Sequence, residues 1–115
     1  MKLLKAEDRV AWRLWLRDNH AVEREVWLLF YMKHAWGSSV PYDDAVEEAL
    51  CYGWIDSMVR RVDEDSYAQK FTPRKPGSRW SGSNLARMKR LIEEKRVAKA
   101  GMDAYEKRSS QSPPA

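Results

Sequence analysis

Residues 41–56 read PYDDAVEEALCYGWID and contain the clearest structural signal in the chain. Apolar side chains recur there at the spacing of a helix with one buried face, at Tyr42, Ala45, Val46, Ala49 and Leu50. Gly53 follows where helices commonly end in a left-handed residue, and Trp54 begins an extended segment. The carboxylates of this stretch lie off the apolar stripe, which predicts that they face solvent: Asp43, Asp44, Glu47 and Glu48.

The segments around this helix predict an α+β fold, with helices packed on a small sheet of about three strands. Further helices are expected at residues 6–19 and, after an N-cap at Ser81, at residues 82–94, with a last piece at 102–107 beyond a break at Gly101. The apolar run 26–32 predicts a strand buried on both faces. Alternating segments predict strands at 54–62 and 67–72, joined by the acidic turn 63–66, with Gln69 facing water. Parallel and antiparallel pairing both remain open.

The length and composition indicate one globular domain, expected at residues 1–107, with a disordered tail at 108–115. No segment has the roughly 20 consecutive apolar residues of a membrane span. The N-terminus has no apolar signal core, so we expect a cytoplasmic protein. The single cysteine, Cys51, excludes an internal disulfide bond.

Charge is distributed unevenly along the chain. Residues 1–57 carry seven Lys and Arg against ten Asp and Glu, whereas residues 58–115 carry fourteen against seven. A basic half of this size favours an anionic partner such as nucleic acid, a phosphate compound or a membrane surface. The alternative is that the basic surface serves solubility alone.

Three blocks of sequence carry a resemblance to a known family: DDAVEEALCYGWID at 43–56, FTPRK at 71–75 and SRWSGSN at 78–84. In this wording and order the chain resembles the YdeI/OmpD-associated family, also labelled bacteriocin-protection proteins. Ser57 and Lys95 depart from the glycines that members often have at these places. The resemblance implies protection from antimicrobial proteins or peptides and response to stress. It implies no reaction, cofactor or catalytic residue.

Catalysis by Cys51 or His20 and the binding of a metal ion receive little support from the sequence. Cys51 falls at a helix C-terminus, where the helix dipole disfavours a thiolate, so we expect a buried packing residue. His20 is expected to bind carbonyls at the end of the first helix. His20, His34 and Cys51 lack the close-paired spacing of zinc ligands, and we expect no metal and no cofactor.

The candidate site combines the exit of the central helix with the irregular loop that precedes Ser81. An unpaired Asp56 in an aromatic segment would be costly, and Arg74 or Arg79 could hold it in a structural clasp, the interpretation we favour. Alternatively the loop lines a cleft for an anion or a base, with Trp54 or Trp80 as the stacking surface. The candidate ligand-binding residues are Trp54, Asp56, Arg74, Lys75, Ser78, Arg79, Trp80 and Asn84.

Three functions follow as hypotheses. The first is a small cytoplasmic protection or stress protein that acts by binding rather than by catalysis, through an anionic ligand or a protein partner. The second is a nucleic-acid- or anion-binding module that uses the basic C-terminal half. The third is an enzyme that uses Cys51 or Asp56. The sequence leaves the ligand and the oligomeric state open.

Overall fold

The structure, a computed structural model, describes residues 2–108. In chain order its elements are β1 (Leu3–Leu4), α1 (Arg9–Asn19), β2 (Val26–Tyr31), α2 (Tyr42–Cys51), β3 (Trp54–Asp63), β4 (Ser66–Pro73), α3 (Gly82–Glu93) and α4 (Lys99–Glu106). The tail expected at 108–115 lies outside the described residues, apart from Arg108.

The strands form one mixed sheet in the order β1-β2-β4-β3. β1 runs parallel to β2, and β4 pairs antiparallel with both β2 and β3. The α+β fold is therefore as predicted, with four strands instead of about three. The two-residue β1 was not predicted because it is too short to show alternation.

The local signals that predicted the main elements act as expected. The Asp8 carboxylate accepts from the backbone N–H of Ala11 and caps α1, and the Ser81 hydroxyl accepts from that of Asn84 and caps α3. Gly53 has φ of +76°, the left-handed conformation expected after α2. These caps fix where the helices begin and end relative to the sheet.

The core lies between one face of the sheet and the helices. Val26, Leu28 and Phe30 of β2 point into it, and the buried residues of α2 belong to the same cluster. Trp27 lies in the same strand and is also buried, as predicted for β2. The guanidinium of Arg60 lies 5.4 Å and the ammonium of Lys70 6.0 Å from the centroid of its ring.

Three sequence predictions about these elements are wrong. Gly101 does not break a helix: it lies inside α4, where a β-carbon would stand 2.4 Å from the carbonyl oxygen of Cys51. Glu48 does not face solvent but is fully buried, and Glu47 is largely covered. Gln69 is buried as well, because it pairs with a carboxylate at the edge of the core.

Membrane insertion of a helix finds no support in residues 2–108. No helix in this range combines the length and apolar character that a bilayer span requires.

Candidate functional site

The loop between β4 and α3 is held in place by backbone hydrogen bonds at its first residue and at its middle. The Arg74 N–H donates to the carbonyl oxygen of Gly53 at 2.9 Å. The Gly77 N–H donates to the carbonyl oxygen of Lys107 at 2.8 Å, beyond the end of α4. Because Pro73 and Pro76 cannot donate backbone hydrogen bonds, these few contacts determine the path of the loop. They bring the loop against the C-terminal end of α4.

Arg74 folds back over its own loop. Its guanidinium carbon lies 4.2 Å from the centroid of the Trp80 ring, within cation–π range. Nη2 donates to the carbonyl oxygen of Arg79 at 3.1 Å, and Nε makes a long contact of 3.4 Å with the hydroxyl of Ser78. The structure therefore brings together four of the predicted site residues: Arg74, Ser78, Arg79 and Trp80.

The stack continues from this loop into α4. The Trp80 ring meets Tyr105 edge-on, with centroids 5.6 Å apart, and the guanidinium of Arg108 lies 4.1 Å from the Tyr105 centroid. Arg108 also donates from Nη1 to the Tyr105 carbonyl oxygen at 2.7 Å. Two arginines thus flank a pair of aromatic rings, one from the loop and one from the chain after α4.

Two buried donors in this stack have no acceptor among the described residues: Nη1 of Arg74 and Nε1 of Trp80. Burial lowers the pKa of the Arg74 guanidinium, and the negative charge of Asp56 opposes that shift. An arginine side chain stays protonated in proteins, so Arg74 is a half-buried cation that no carboxylate contacts in the described part of the chain. An unsatisfied buried donor is costly and needs an explanation.

The loop and the end of α4 together form what we call the basic cluster: Arg74, Lys75, Arg79, Lys107 and Arg108. Within residues 2–108, none of these five side chains lies within 4.0 Å of a carboxylate oxygen. Lys75, Arg79 and Lys107 are exposed. The cluster therefore concentrates positive charge on one surface without internal neutralisation.

Asp56 has different partners from those predicted. Its Oδ2 accepts from the hydroxyl of Tyr42 at 2.7 Å and from Nε2 of Gln69 at 2.8 Å, and neither Arg74 nor Arg79 forms an ion pair with it. Burial, together with the hydrogen bond to Asp56 and the charge of that carboxylate, raises the pKa of Tyr42 to about 12. The predicted clasp between Asp56 and an arginine of the loop is therefore wrong: Asp56 links α2 to the sheet through Tyr42 and Gln69.

The predicted stacking role of tryptophan is also wrong. Trp54 and Trp80 are each only 1% exposed, so neither offers a face to a nucleobase. Trp54 packs edge-on against Trp15 at 5.7 Å in the core. Asn84 lies in the first turn of α3, and its side chain accepts a hydrogen bond from Nη1 of Arg87.

Cys51 is fully buried, as predicted. Burial raises the pKa of its thiol, and the nearby negative charge of Glu48 raises it further. We expect an aromatic disulfide reagent to modify native Cys51 at least about a hundredfold more slowly than the urea-unfolded chain, because reaction requires local opening. Equal rates in the two states, measured by absorbance of the released thiolate, would contradict this placement.

The described part of the chain contains no set of side chains that could bind a metal ion. No group of three His, Cys, Asp or Glu residues between 2 and 108 is arranged to hold an ion. Nδ1 of His20 lies 2.7 Å from the carbonyl oxygen of Leu16, as predicted for the end of α1. His34 instead lies 3.0 Å from Asp65 at the surface.

Sequence reasoning missed a second cluster of charge centred on Glu48. Oε2 of this fully buried carboxylate accepts from Arg9 Nε at 2.8 Å and Arg96 Nη2 at 2.6 Å, and Oε1 accepts from Arg13 Nη1 at 2.7 Å. Burial disfavours ionisation, but the three guanidiniums outweigh it and hold the pKa of Glu48 below its usual range. The three arginines come from distant parts of the chain, so no local pattern marks the cluster.

Comparison with known proteins gives one match. Residues 4–104 match the family described as a domain of unknown function (DUF8412), so the chain belongs to that family. No match is found among curated proteins or among solved structures. The comparison therefore places the whole domain in one family without assigning it a ligand or a reaction.

Proposed function

Because the family to which the chain belongs has no described function, we propose a function from the site itself: this protein binds a phosphate polyanion through the basic cluster and catalyses no reaction. The observation that carries the proposal is the unpaired positive charge of the basic cluster: Lys75, Arg79 and Lys107 are exposed, and within residues 2–108 no carboxylate oxygen lies within 4.0 Å of any side chain of the cluster. A ligand oxyanion would supply the missing counter-charge.

The chemistry of the cluster favours phosphate over other anionic groups. Arginine presents paired donors that match phosphate oxygens, and exposed lysines add point charges along an extended ligand. Lys75 and Arg79 leave the loop toward solvent, and Lys107 and Arg108 follow α4 beside it. A ligand with several phosphates can engage several of these cations at once, whereas a single carboxylate neutralises only one of them.

The aromatic rings of the site support recognition by charge and not by base stacking. Arg74 covers Trp80, and Arg108 covers Tyr105, so both rings already have a cationic partner. A ligand bound here would be held through its backbone phosphates with little preference for base sequence. Nucleic acid and inorganic polyphosphate share this chemistry, and both belong in the test.

Binding by the basic cluster is tested with the charge-reversal variant Lys75→Glu/Arg79→Glu. Both side chains are exposed and make no ion pair within residues 2–108, so the fold should be unaffected. We expect the affinity for a fluorescein-labelled single-stranded oligonucleotide at low salt to fall at least about tenfold. The slope of log K against log salt should change from roughly −3.5 to roughly −2, since two phosphate contacts are lost.

The matched control is Lys5→Glu/Lys33→Glu, which makes the same change in net charge at two exposed lysines elsewhere. It should retain the wild-type salt slope. Equal losses in the two double variants would show that net charge alone drives binding, and binding that does not depend on salt would also overturn the proposal. Unlabelled polyphosphate and unlabelled duplex are each used to displace the labelled oligonucleotide. The competitor that displaces it at the lower concentration is the preferred source of phosphate.

The biological setting we propose is protection of the cell against bacteriocin-type antimicrobial proteins or peptides. It rests only on the resemblance of residues 43–56, 71–75 and 78–84 to the YdeI/OmpD-associated family. Survival of a sensitive strain that expresses the chain, with and without Lys75→Glu/Arg79→Glu, tests this setting separately from ligand binding. If wild type and variant both protect the strain, protection does not depend on the basic cluster. If neither protects it, the proposed role in protection is wrong.

A further inference from the structure

Helix α1 exposes two apolar side chains on the face opposite its buried Trp12 and Leu16. Val10 is 63% and Leu14 44% exposed, and their i, i+4 spacing places them one above the other along the helix. Single exposed apolar residues are ordinary on protein surfaces. These two are different because they belong to the wall of a concave site.

That site is a groove of about 150 Å³ between α1, the end of α2 and the segment that follows α3. Its volume suits one buried side chain such as leucine or phenylalanine. Apart from Val10 and Leu14, the groove is lined by one tyrosine and four arginines: Tyr52, Arg9, Arg13, Arg17 and Arg96. The described lining contains no carboxylate.

The arginines of the groove are held in position before any ligand arrives. Arg13 is fixed by Glu48, by the carbonyl oxygen of Arg96 at 2.7 Å and by the Tyr52 ring, 5.2 Å from its guanidinium. Arg96 is fixed by Glu48 and retains a buried Nε–H without an acceptor among residues 2–108. Preorganised donors lose little conformational entropy when they bind.

The wall of the groove presents guanidinium groups, and the carboxylates that pair with them lie outside its lining. Arg9 is satisfied by Asp44, Glu47 and Glu48, whereas within residues 2–108 Arg13 and Arg96 form ion pairs with Glu48 alone. Arg17 stands at the surface and pairs with Asp18. An incoming acidic group therefore meets guanidinium donors, and no carboxylate of the described lining, beside an apolar surface.

From this combination we infer that the α1 groove, defined by these seven lining residues, is a docking site for a short acidic amphipathic segment of a partner protein. A leucine or phenylalanine of the partner fills the groove against Val10 and Leu14. An aspartate or glutamate next to it pairs with Arg17 and Arg13. This inference goes beyond the proposed phosphate binding and uses no residue of the basic cluster.

A membrane surface fits the groove less well than a peptide. Insertion into a bilayer interface needs a broad, convex apolar face, and α1 offers two aliphatic side chains inside a concavity. Vesicles that contain anionic lipid therefore serve as the competing arm of the experiment.

The experiment uses the full chain and a fluorescein-labelled peptide of about 12 residues in which Glu and Leu recur at helical spacing. Two further peptides replace Leu by Ser or Glu by Lys. We expect the Glu/Leu peptide to bind with measurable anisotropy change and both substituted peptides to bind at least about tenfold more weakly. Leu14→Asp and Arg17→Glu should each weaken binding of the Glu/Leu peptide by at least about tenfold, since both alter the groove without touching Glu48.

The matched controls are Val22→Asp and Arg24→Glu, which make the same chemical changes at exposed positions outside the groove. They should leave peptide affinity within about twofold of wild type. Binding that survives Leu14→Asp and Arg17→Glu, or no binding up to about 1 mM peptide, would overturn the inference. Capture by anionic vesicles without capture of the peptide would also overturn it, in favour of a membrane surface.

Discussion

Replacing Glu48 by Gln is expected to lower the free energy of unfolding by about 3–5 kcal/mol. The substitution keeps the shape of the side chain but removes the only carboxylate that Arg13 and Arg96 contact within residues 2–108, so two guanidiniums at the edge of the core lose their counter-ion. Glutamine offers one acceptor oxygen where the carboxylate offers two, so hydrogen bonds from Arg9, Arg13 and Arg96 cannot all persist. Urea denaturation at neutral pH measures the loss.

The matched control is Glu94→Gln, which removes an exposed carboxylate that contacts Arg90 one turn away in α3. That change should cost less than about 1 kcal/mol, as surface pairs do. A similarly small effect at Glu48 would show that the three arginines find other acceptors in the folded protein.

The same carboxylate predicts how stability depends on pH. The pKa of Glu48 is lowered in the folded state, so its contribution is fully present above the unfolded value of about 4.3 and is lost as the pH falls through the folded pKa. The difference in unfolding free energy between wild type and Glu48→Gln should be constant from pH 7 to about 5. Below about pH 4 it should shrink. A difference that shrinks already near neutral pH would mean that the pKa of Glu48 is raised.

Replacing Gly101 by Ala is expected to cost roughly 3 kcal/mol, although alanine is the better helix former by about 1 kcal/mol. The added β-carbon would stand 2.4 Å from the carbonyl oxygen of Cys51 and 2.8 Å from that of Leu50. Both atoms belong to the backbone and cannot turn aside as a side chain can. The Cys51 carbonyl also accepts from the N–H of Ala98 at 2.9 Å, so α4 cannot move away without weakening that bond.

Gly82→Ala tests whether the effect comes from the contact or from the residue type. Gly82 is the first residue of α3, and a β-carbon there would have no neighbour within 4 Å. This variant should be neutral or stabilised by up to about 1 kcal/mol. Thermal and urea unfolding of the two variants are compared side by side. Equal stability of Gly101→Ala and Gly82→Ala would show that the added β-carbon at position 101 does not clash with α2.

Local signals predicted most of the fold because each acts within a few residues. The apolar spacing of α2, the Ser81 cap and the positive φ of Gly53 depend only on nearby chain, and all three are found where the sequence placed them. The sequence did not predict the short β1 or the inclusion of Gly101 within α4, because both depend on a segment distant in the chain. β1 exists only by pairing with β2, and Gly101 is required by its contact with α2.

The candidate site was predicted in part for the same reason. The loop from Arg74 to Trp80 was recognisable by its mixture of basic and aromatic residues, and one such pair, Arg74 and Trp80, does stack. Lys107 and Arg108 were not included, because their approach depends on the hydrogen bond from Gly77 to the Lys107 carbonyl. Asp56 needed a partner, as expected, but packing supplied Tyr42 and Gln69, which lie nearer than any arginine.

The stretch at 41–56 shows what the sequence by itself determined and what only the tertiary structure decided. Apolar periodicity and a terminal glycine determine that this segment is a helix with one buried stripe, since both act through the local geometry of the backbone. Whether its carboxylates are buried or exposed depends on the tertiary structure. Glu48 is buried because Arg9, Arg13 and Arg96 converge on it from sequence separations of 39, 35 and 48 residues. No pattern within one helix can specify partners at such separations.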